Sequence, residues 1–167
     1  RRIGRAMRLG IFAKTFAGTD PLTVLKAAKD AGYAAVQYNM ACSGLPSMPD
    51  VLTETQAAAV AQASAATGVA IAAVSGTYNM IHPDPTLRAA GHARLETLAA
   101  ACAGLGTHLI TLCTGTRDAQ DQWRAHADND SAAAWRDLLA SMEVAIGIAE
   151  RHGVDLGIEP ELANVIS

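Results

Sequence analysis

Five short apolar runs punctuate the chain, at residues 8–12, 34–38, 69–75, 107–113 and 154–158. None alternates between apolar and polar positions as a half-exposed strand would. Near-continuous apolar strands are what a parallel sheet covered on both faces requires. Longer stretches of helical period lie between them. Asp20-Pro21 supplies a cap followed by proline at the first helical position, and Gly32 closes that helix. Thr53-Glu54-Thr55-Gln56 reads as a capping box before an alanine-rich helix that Gly68 terminates. Asp84-Pro85 repeats the cap-plus-proline device, and Leu95, Leu98, Cys102 and Leu105 mark one face of the third helix. Ser131 caps a fourth, whose predicted buried stripe is Trp135, Leu138, Leu139, Met142, Ile146 and Ala149, with Gly153 as its stop.

Each helical pattern ends shortly before the next apolar run, whereas the loops after the runs are long, at residues 39–50, 76–84 and 114–130. Tight αβ turns and elaborate βα loops are the asymmetry of a barrel whose active site lies at the C-terminal ends of its strands. The predicted fold class is therefore α/β, a (β/α)8 TIM barrel truncated to about five βα units. A doubly wound open sheet shares much of this pattern. No linker separates a second domain. Residues 7–167 read as a single partial barrel domain, and residues 1–6 as an N-terminal extension ahead of Met7.

Composition narrows the partners. Half of the 167 residues are hydrophobic, 17% are charged and 4% are aromatic, which fits alanine-rich helices packed closely on a small-residue sheet. A net charge of −3 offers no broad basic field for nucleic acid or anionic lipid. No apolar run approaches the roughly 20 residues that span a bilayer. Neither nucleic acid nor membrane is an expected partner. Three cysteines without C-x-x-C spacing read as reduced thiols in a cytoplasm.

The most informative segment is Gly157-Ile158-Glu159-Pro160-Glu161. A carboxylate ending a buried strand is expensive to desolvate unless a cation or hydrogen-bond donors compensate it. Carboxylate oxygens suit a divalent metal, and an arginine partner at the sheet edge is the competing explanation for Glu159. Glu161 either touches a substrate hydroxyl or faces solvent. In the loop after the third run, His82 is placed to donate to a substrate oxygen or to orient a metal-bound group, or else to brace the turn before Asp84. Thr114-Gly115-Thr116-Arg117-Asp118 combines hydroxyls, glycine and a cation, either as a holder of a sugar hydroxyl or phosphate or as an ordinary turn. There is no P-loop, G-x-S-x-G or H-E-x-x-H.

An ordered set of segments resembles the sugar phosphate isomerase/epimerase family of xylose-isomerase-like TIM barrels. It comprises Leu9-Gly10-Ile11-Phe12-Ala13-Lys14-Thr15-Phe16, Gly32-Tyr33 leading to Val36-Gln37, and Ser75-Gly76-Thr77-Tyr78-Asn79-Met80-Ile81-His82-Pro83-Asp84. Thr111 to Asp118, Ala134 to Leu139 and Ile158-Glu159-Pro160-Glu161 continue it in the same order. The resemblance implies a divalent-metal enzyme (Mn, Mg, Co or Zn) that moves a proton next to the carbonyl of a small-molecule carbohydrate. It makes Glu159 a metal ligand and acid/base. The substrate-binding candidates are His82, Asn79, Thr114 and Glu161. Further ligands in such enzymes come from strands six to eight. The expectation is thus an N-terminal portion of the enzyme, neither binding metal tightly nor turning over by itself. Two other expectations remain: a relative of abasic-site endonucleases, which use histidine-rich zinc clusters, and a non-catalytic α/β module binding a partner, or a second copy, through open sheet edges.

Overall fold

The structure, a computed structural model, describes residues 7–166. The predicted extension over residues 1–6 lies outside the described residues. Five strands form, β1 (Gly10–Phe12), β2 (Ala35–Tyr38), β3 (Ala70–Ser75), β4 (Leu109–Leu112) and β5 (Asp155–Ile158). Four helices alternate with them, α1 (Pro21–Asp30), α2 (Glu54–Thr67), α3 (Pro85–Leu105) and α4 (Ala132–His152). The sheet runs β1-β2-β3-β4-β5 and every pairing is parallel. A doubly wound sheet reverses its strand order at a switch point. Here the order never reverses and each helix packs on the next, as in a partial barrel.

Sequence chemistry explains where the helices start and stop. Asp20, Thr53, Asp84 and Ser131 each accept a backbone N–H of the first turn, and Thr53 with Gln56 completes the capping box. Each such cap stabilises its helix by about 1 kcal/mol. Gly68, Gly106 and Gly153 end α2, α3 and α4 in the left-handed conformation that a Cβ disfavours.

Alternation along the strands separates two faces. Val36, Tyr38, Val74, Ile110 and Leu112 are fully buried in the core beneath the helices. The intervening Gln37 and Thr111 meet on the other side of the sheet, in the barrel interior. A bulge between Val36 and Gln37 shifts the β2–β3 register by one residue at this point. Bulges re-aim side chains beside functional sites.

The stripe on α4 differs from the prediction in part: Leu138 and Ala149 are buried and Met142 packs against the core as expected, but the other three positions are not. Ala134, Leu138, Ser141, Ala145, Ile148 and Ala149 face inward, while Trp135, Leu139 and Ile146 stand about half exposed at 49%, 48% and 48%. Two adjacent faces of α4 are apolar, so periodicity alone could not choose between them. The face carrying small residues turned inward because it allows close approach, and the Ser141 hydroxyl donates to the Met80 carbonyl.

Candidate functional site

Where the five strands end, the sheet opens into a cleft of about 390 Å³. Its wall draws on each strand or the segment after it: Phe12 ends β1 and Lys14 follows it, Gln37 and Asn39 belong to β2 and its end, and Ser75 and Thr77 to β3 and its end. Gln122 and Trp123 enter from the loop after β4, and Glu159 and Glu161 follow β5.

Glu159 is placed by the sheet itself. Its N–H donates to the Leu112 carbonyl at 2.8 Å, which extends the β4–β5 ladder one residue past the strand. One carboxylate oxygen, Oε2, accepts from Gln37 Nε2 at 3.1 Å, and the same amide nitrogen donates to Thr111 Oγ1 at 2.7 Å. Residues of β2, β4 and the end of β5 thus converge on one carboxylate across the interior. Among the described residues the ion pairs of Arg88 and Arg117 run to Asp137, and those of Arg94, Arg124 and Arg151 to Asp50, Asp118 and Glu96. None engages Glu159, so its compensating contact is the Gln37 amide.

Gln37 and Thr111 escaped the sequence reading as site residues. The available signal was their polarity inside otherwise apolar strands, Ala35-Val36-Gln37-Tyr38 and Leu109-Ile110-Thr111-Leu112. A single polar residue in a strand buried on both faces needs a partner inside.

The other predicted residues fall in different places. Glu161 lines the cleft with Glu159. Asn79 lies behind the rim: its Nδ2 donates to the Thr116 carbonyl at 2.8 Å, and its Oδ1 accepts from the N–H groups of Thr116 at 3.0 Å and Ile81 at 3.3 Å. Gly115 packs against it with φ +79°, and a Cβ there would sit 2.2 Å from Asn79 Oδ1. Thr114 is fully buried and its hydroxyl accepts the Ile166 N–H. His82 borders a second hollow of about 370 Å³, beyond Gln122 and Trp123, which line both spaces. Its Nδ1 accepts the Asp84 N–H at 3.0 Å, which leaves Nε2 protonated to donate to the Ala119 carbonyl at 3.2 Å. Arg117, a cation of the Thr114–Asp118 segment, is held by Asp137 at 2.7 Å.

Two buried groups beside α3 lack partners. Among the described residues Tyr78 Oη and His92 Nε2 find no hydrogen-bond partner, although the rings meet edge to face at 5.7 Å. Burial, with the Arg88 charge adding to it, holds the His92 pKa below its ordinary value. Cys113 is fully buried, and burial, aided by the two cleft glutamates, raises its thiol to about 12.

A divalent metal was implied by the resemblance. Among the described residues no group of three His, Cys, Asp or Glu side chains converges on a point. The cleft offers two carboxylates, Glu159 and Glu161, with only neutral amide and hydroxyl oxygens beside them, which falls short of the charged or imidazole ligands that hold a divalent ion tightly. The residues present do not by themselves fit a complete metal site.

A cleft at the C-terminal ends of parallel strands, walled by hydroxyl, amide and carboxylate groups, is the site architecture of α/β-barrel proteins. The signature of the family described as Xylose isomerase-like TIM barrel matches residues 25–166, and the chain belongs to that family. No curated protein matches the sequence. Among solved structures it is similar to the 3-keto-D-glucoside 4-epimerase of E. coli, at 17% identity and TM-score 0.69 over 92% of this chain and 56% of that one. D-psicose 3-epimerase of Clostridium cellulolyticum H10, solved with D-tagatose, matches at 18% identity and TM-score 0.68, over 92% of this chain and 52% of that one. A xylose isomerase-like TIM barrel protein from Mycobacterium smegmatis in complex with magnesium matches at 11% identity and TM-score 0.65, over 96% and 56%. The chain spans about half the length of these relatives.

Proposed function

We propose that this chain forms one wall of a metal-dependent sugar isomerase or epimerase that transfers a proton at a carbon next to a carbonyl. The observation that carries this reading is the Glu159 carboxylate at the end of β5, aimed into the cleft and held on one oxygen by Gln37. A carboxylate fixed on one side has one oxygen free to take a proton from carbon and to return it. Gln37 keeps that oxygen oriented, Glu161 meets a substrate hydroxyl, and the rims held by Asn79, Thr114 and His82 shape the entrance. The sugar epimerases among the structural neighbours, and the magnesium in one of them, support this assignment. The metal would lean on Glu159, with its remaining donors supplied from outside this set of residues. Because the chain spans about half of those relatives, the whole reaction is proposed for a barrel to which it contributes five strands and four helices.

Two carboxylates in the cleft repel nucleic-acid phosphates, which favours the carbohydrate reading over the endonuclease one. Among the described residues no helix is long and apolar enough to cross a membrane. Three free, buried cysteines support a reducing compartment, and the cytoplasm is the proposed location. A second copy docking through the open edges of β1 and β5 is the proposed route to an oligomer.

Mn²⁺ titration, followed by paramagnetic broadening of backbone amide signals, tests the assignment and detects even weak contact. Broadening centred on Gln37, Glu159 and Glu161, and lost in Glu159→Gln, is expected. Broadening that survives Glu159→Gln sinks it.

A further inference from the structure

The two walls of the cleft have opposite chemistry. On the β5 side stand Glu159 and Glu161, which when ionised can only accept. From the ends of β1, β2 and β3 come Lys14, Asn39 and Ser75. Asn39 is 4% and Ser75 3% exposed, so both are built into the fold rather than carried on its surface. The Asn39 Oδ1 accepts the Ala41 N–H at 2.9 Å, and this bond fixes the amide with its Nδ2 donors to spare. Among the described residues, no hydrogen bond uses those donors or the Ser75 hydroxyl, although both residues line the cleft. Lys14 sits on the 3-10 turn Ala13–Thr15 directly after β1, and no carboxylate among the described residues pairs with it.

A buried amide and a buried hydroxyl left without protein partners beside a cation are donors waiting for an acceptor-rich group. We infer that the Lys14–Asn39–Ser75 wall binds a carboxylate carried by the substrate, so that the carbohydrate handled here is a sugar acid. Charge decides between carboxylate and phosphate. The charged groups lining the cleft are one lysine and two glutamates. The lining is net negative toward either anion, so a dianionic phosphate is opposed about twice as strongly as a monoanionic carboxylate, whose single charge Lys14 can pair locally. Phe12 and Trp123, 37% and 50% exposed at the cleft, offer apolar faces for the carbon skeleton between its two polar ends.

This inference rests on the carbohydrate reading above, and one experiment separates their failures. D-glucose, D-glucuronate and D-glucose 6-phosphate share a skeleton and differ only at the terminal carbon. Titrated into the intact chain and followed by amide shifts of Asn39 and Ser75, D-glucuronate is expected to bind at least about tenfold tighter than D-glucose. Lys14→Met, an exposed substitution that leaves the core untouched, is expected to bring D-glucuronate binding down to that of D-glucose. Equal binding of D-glucose and D-glucuronate, or a preference that survives Lys14→Met, overturns the carboxylate site and leaves the carbohydrate reading standing. Tightest binding by the phosphate overturns the choice of carboxylate. No binding by any of the three overturns both.

Discussion

The rim behind the cleft and the wall of the cleft are built from similar polar residues, yet the two regions use them oppositely. In the rim, Asn79 bonds Ile81 and Thr116, Asn129 Oδ1 accepts from Thr116 Oγ1 and the Arg117 N–H, and Asn164 Oδ1 accepts the Gly115 N–H at 2.6 Å. Asn129 Nδ2 and Asn164 Nδ2 reach the carbonyls of Ala163 and Gln122. These side chains stand in for the regular ladder that loops lack. In the cleft wall, Ser75, Asn39 and Glu159 keep bonding capacity unused by described residues. The difference teaches that residue type alone does not mark a binding group. A polar side chain whose valences are filled by the backbone is scaffold, and one with valences left facing a cavity is available for a ligand.

The strongest way to break this contrast is Asn79→Ala. It strands the N–H of Thr116 and the N–H of Ile81, and should cost about 2–6 kcal/mol, since each buried unpaired group costs about 1–3 kcal/mol. Chemical denaturation measures it, and a loss below about 0.5 kcal/mol would show that the rim does not depend on this residue.

His92 sharpens the contrast from a third position, with a buried ring nitrogen that has no hydrogen-bond partner among the described residues. His92→Phe should leave stability unchanged or raise it by about 1 kcal/mol at neutral pH, because it removes an unpaired polar atom. The pH dependence has a definite sign. Burial favours the neutral ring in the fold, while the unfolded chain takes up a proton near pH 6.5. The folded state therefore binds fewer protons below that point, and its stability is full above pH 6.5 and falls as the pH drops toward the lowered folded value. Melting curves at pH 7 and pH 5 should show a smaller drop for His92→Phe than for the parent. An equal drop would remove His92 from the acid response.

The smallest effect is expected at Ser75→Ala. A hydroxyl without a protein partner leaves little behind, so stability should move by less than about 0.5 kcal/mol. The same change should weaken D-glucuronate binding in the titration above. A large destabilisation would place Ser75 with the scaffold instead.

Much of the fold was legible along the chain because its determinants are local. Caps such as Asp20, Thr53, Asp84 and Ser131 act within one turn of their own position, and Gly68, Gly106 and Gly153 act through their own φ. The five apolar runs needed only their neighbours to read as strands. Glu159 was legible for the same reason, since it follows its strand directly. Its partner was not. Gln37 lies 122 residues away and meets Glu159 only after β2, β4 and β5 have taken their places and the β2–β3 register has shifted.

Local sequence also put Trp135, Leu139 and Ile146 on the inward face of α4, and close packing of Ala134 and Ala145 turned the neighbouring face inward instead. The roles of Asn79 and Thr114 were open for a related reason: an asparagine or threonine after a strand serves a ligand or a loop equally well until the backbone around it is fixed. The sequence by itself determined which elements form and in what order, because hydrophobic period, capping and glycine are short-range physics. Only the tertiary structure decided which polar groups keep a free valence, because that depends on what the rest of the chain brings within hydrogen-bond distance.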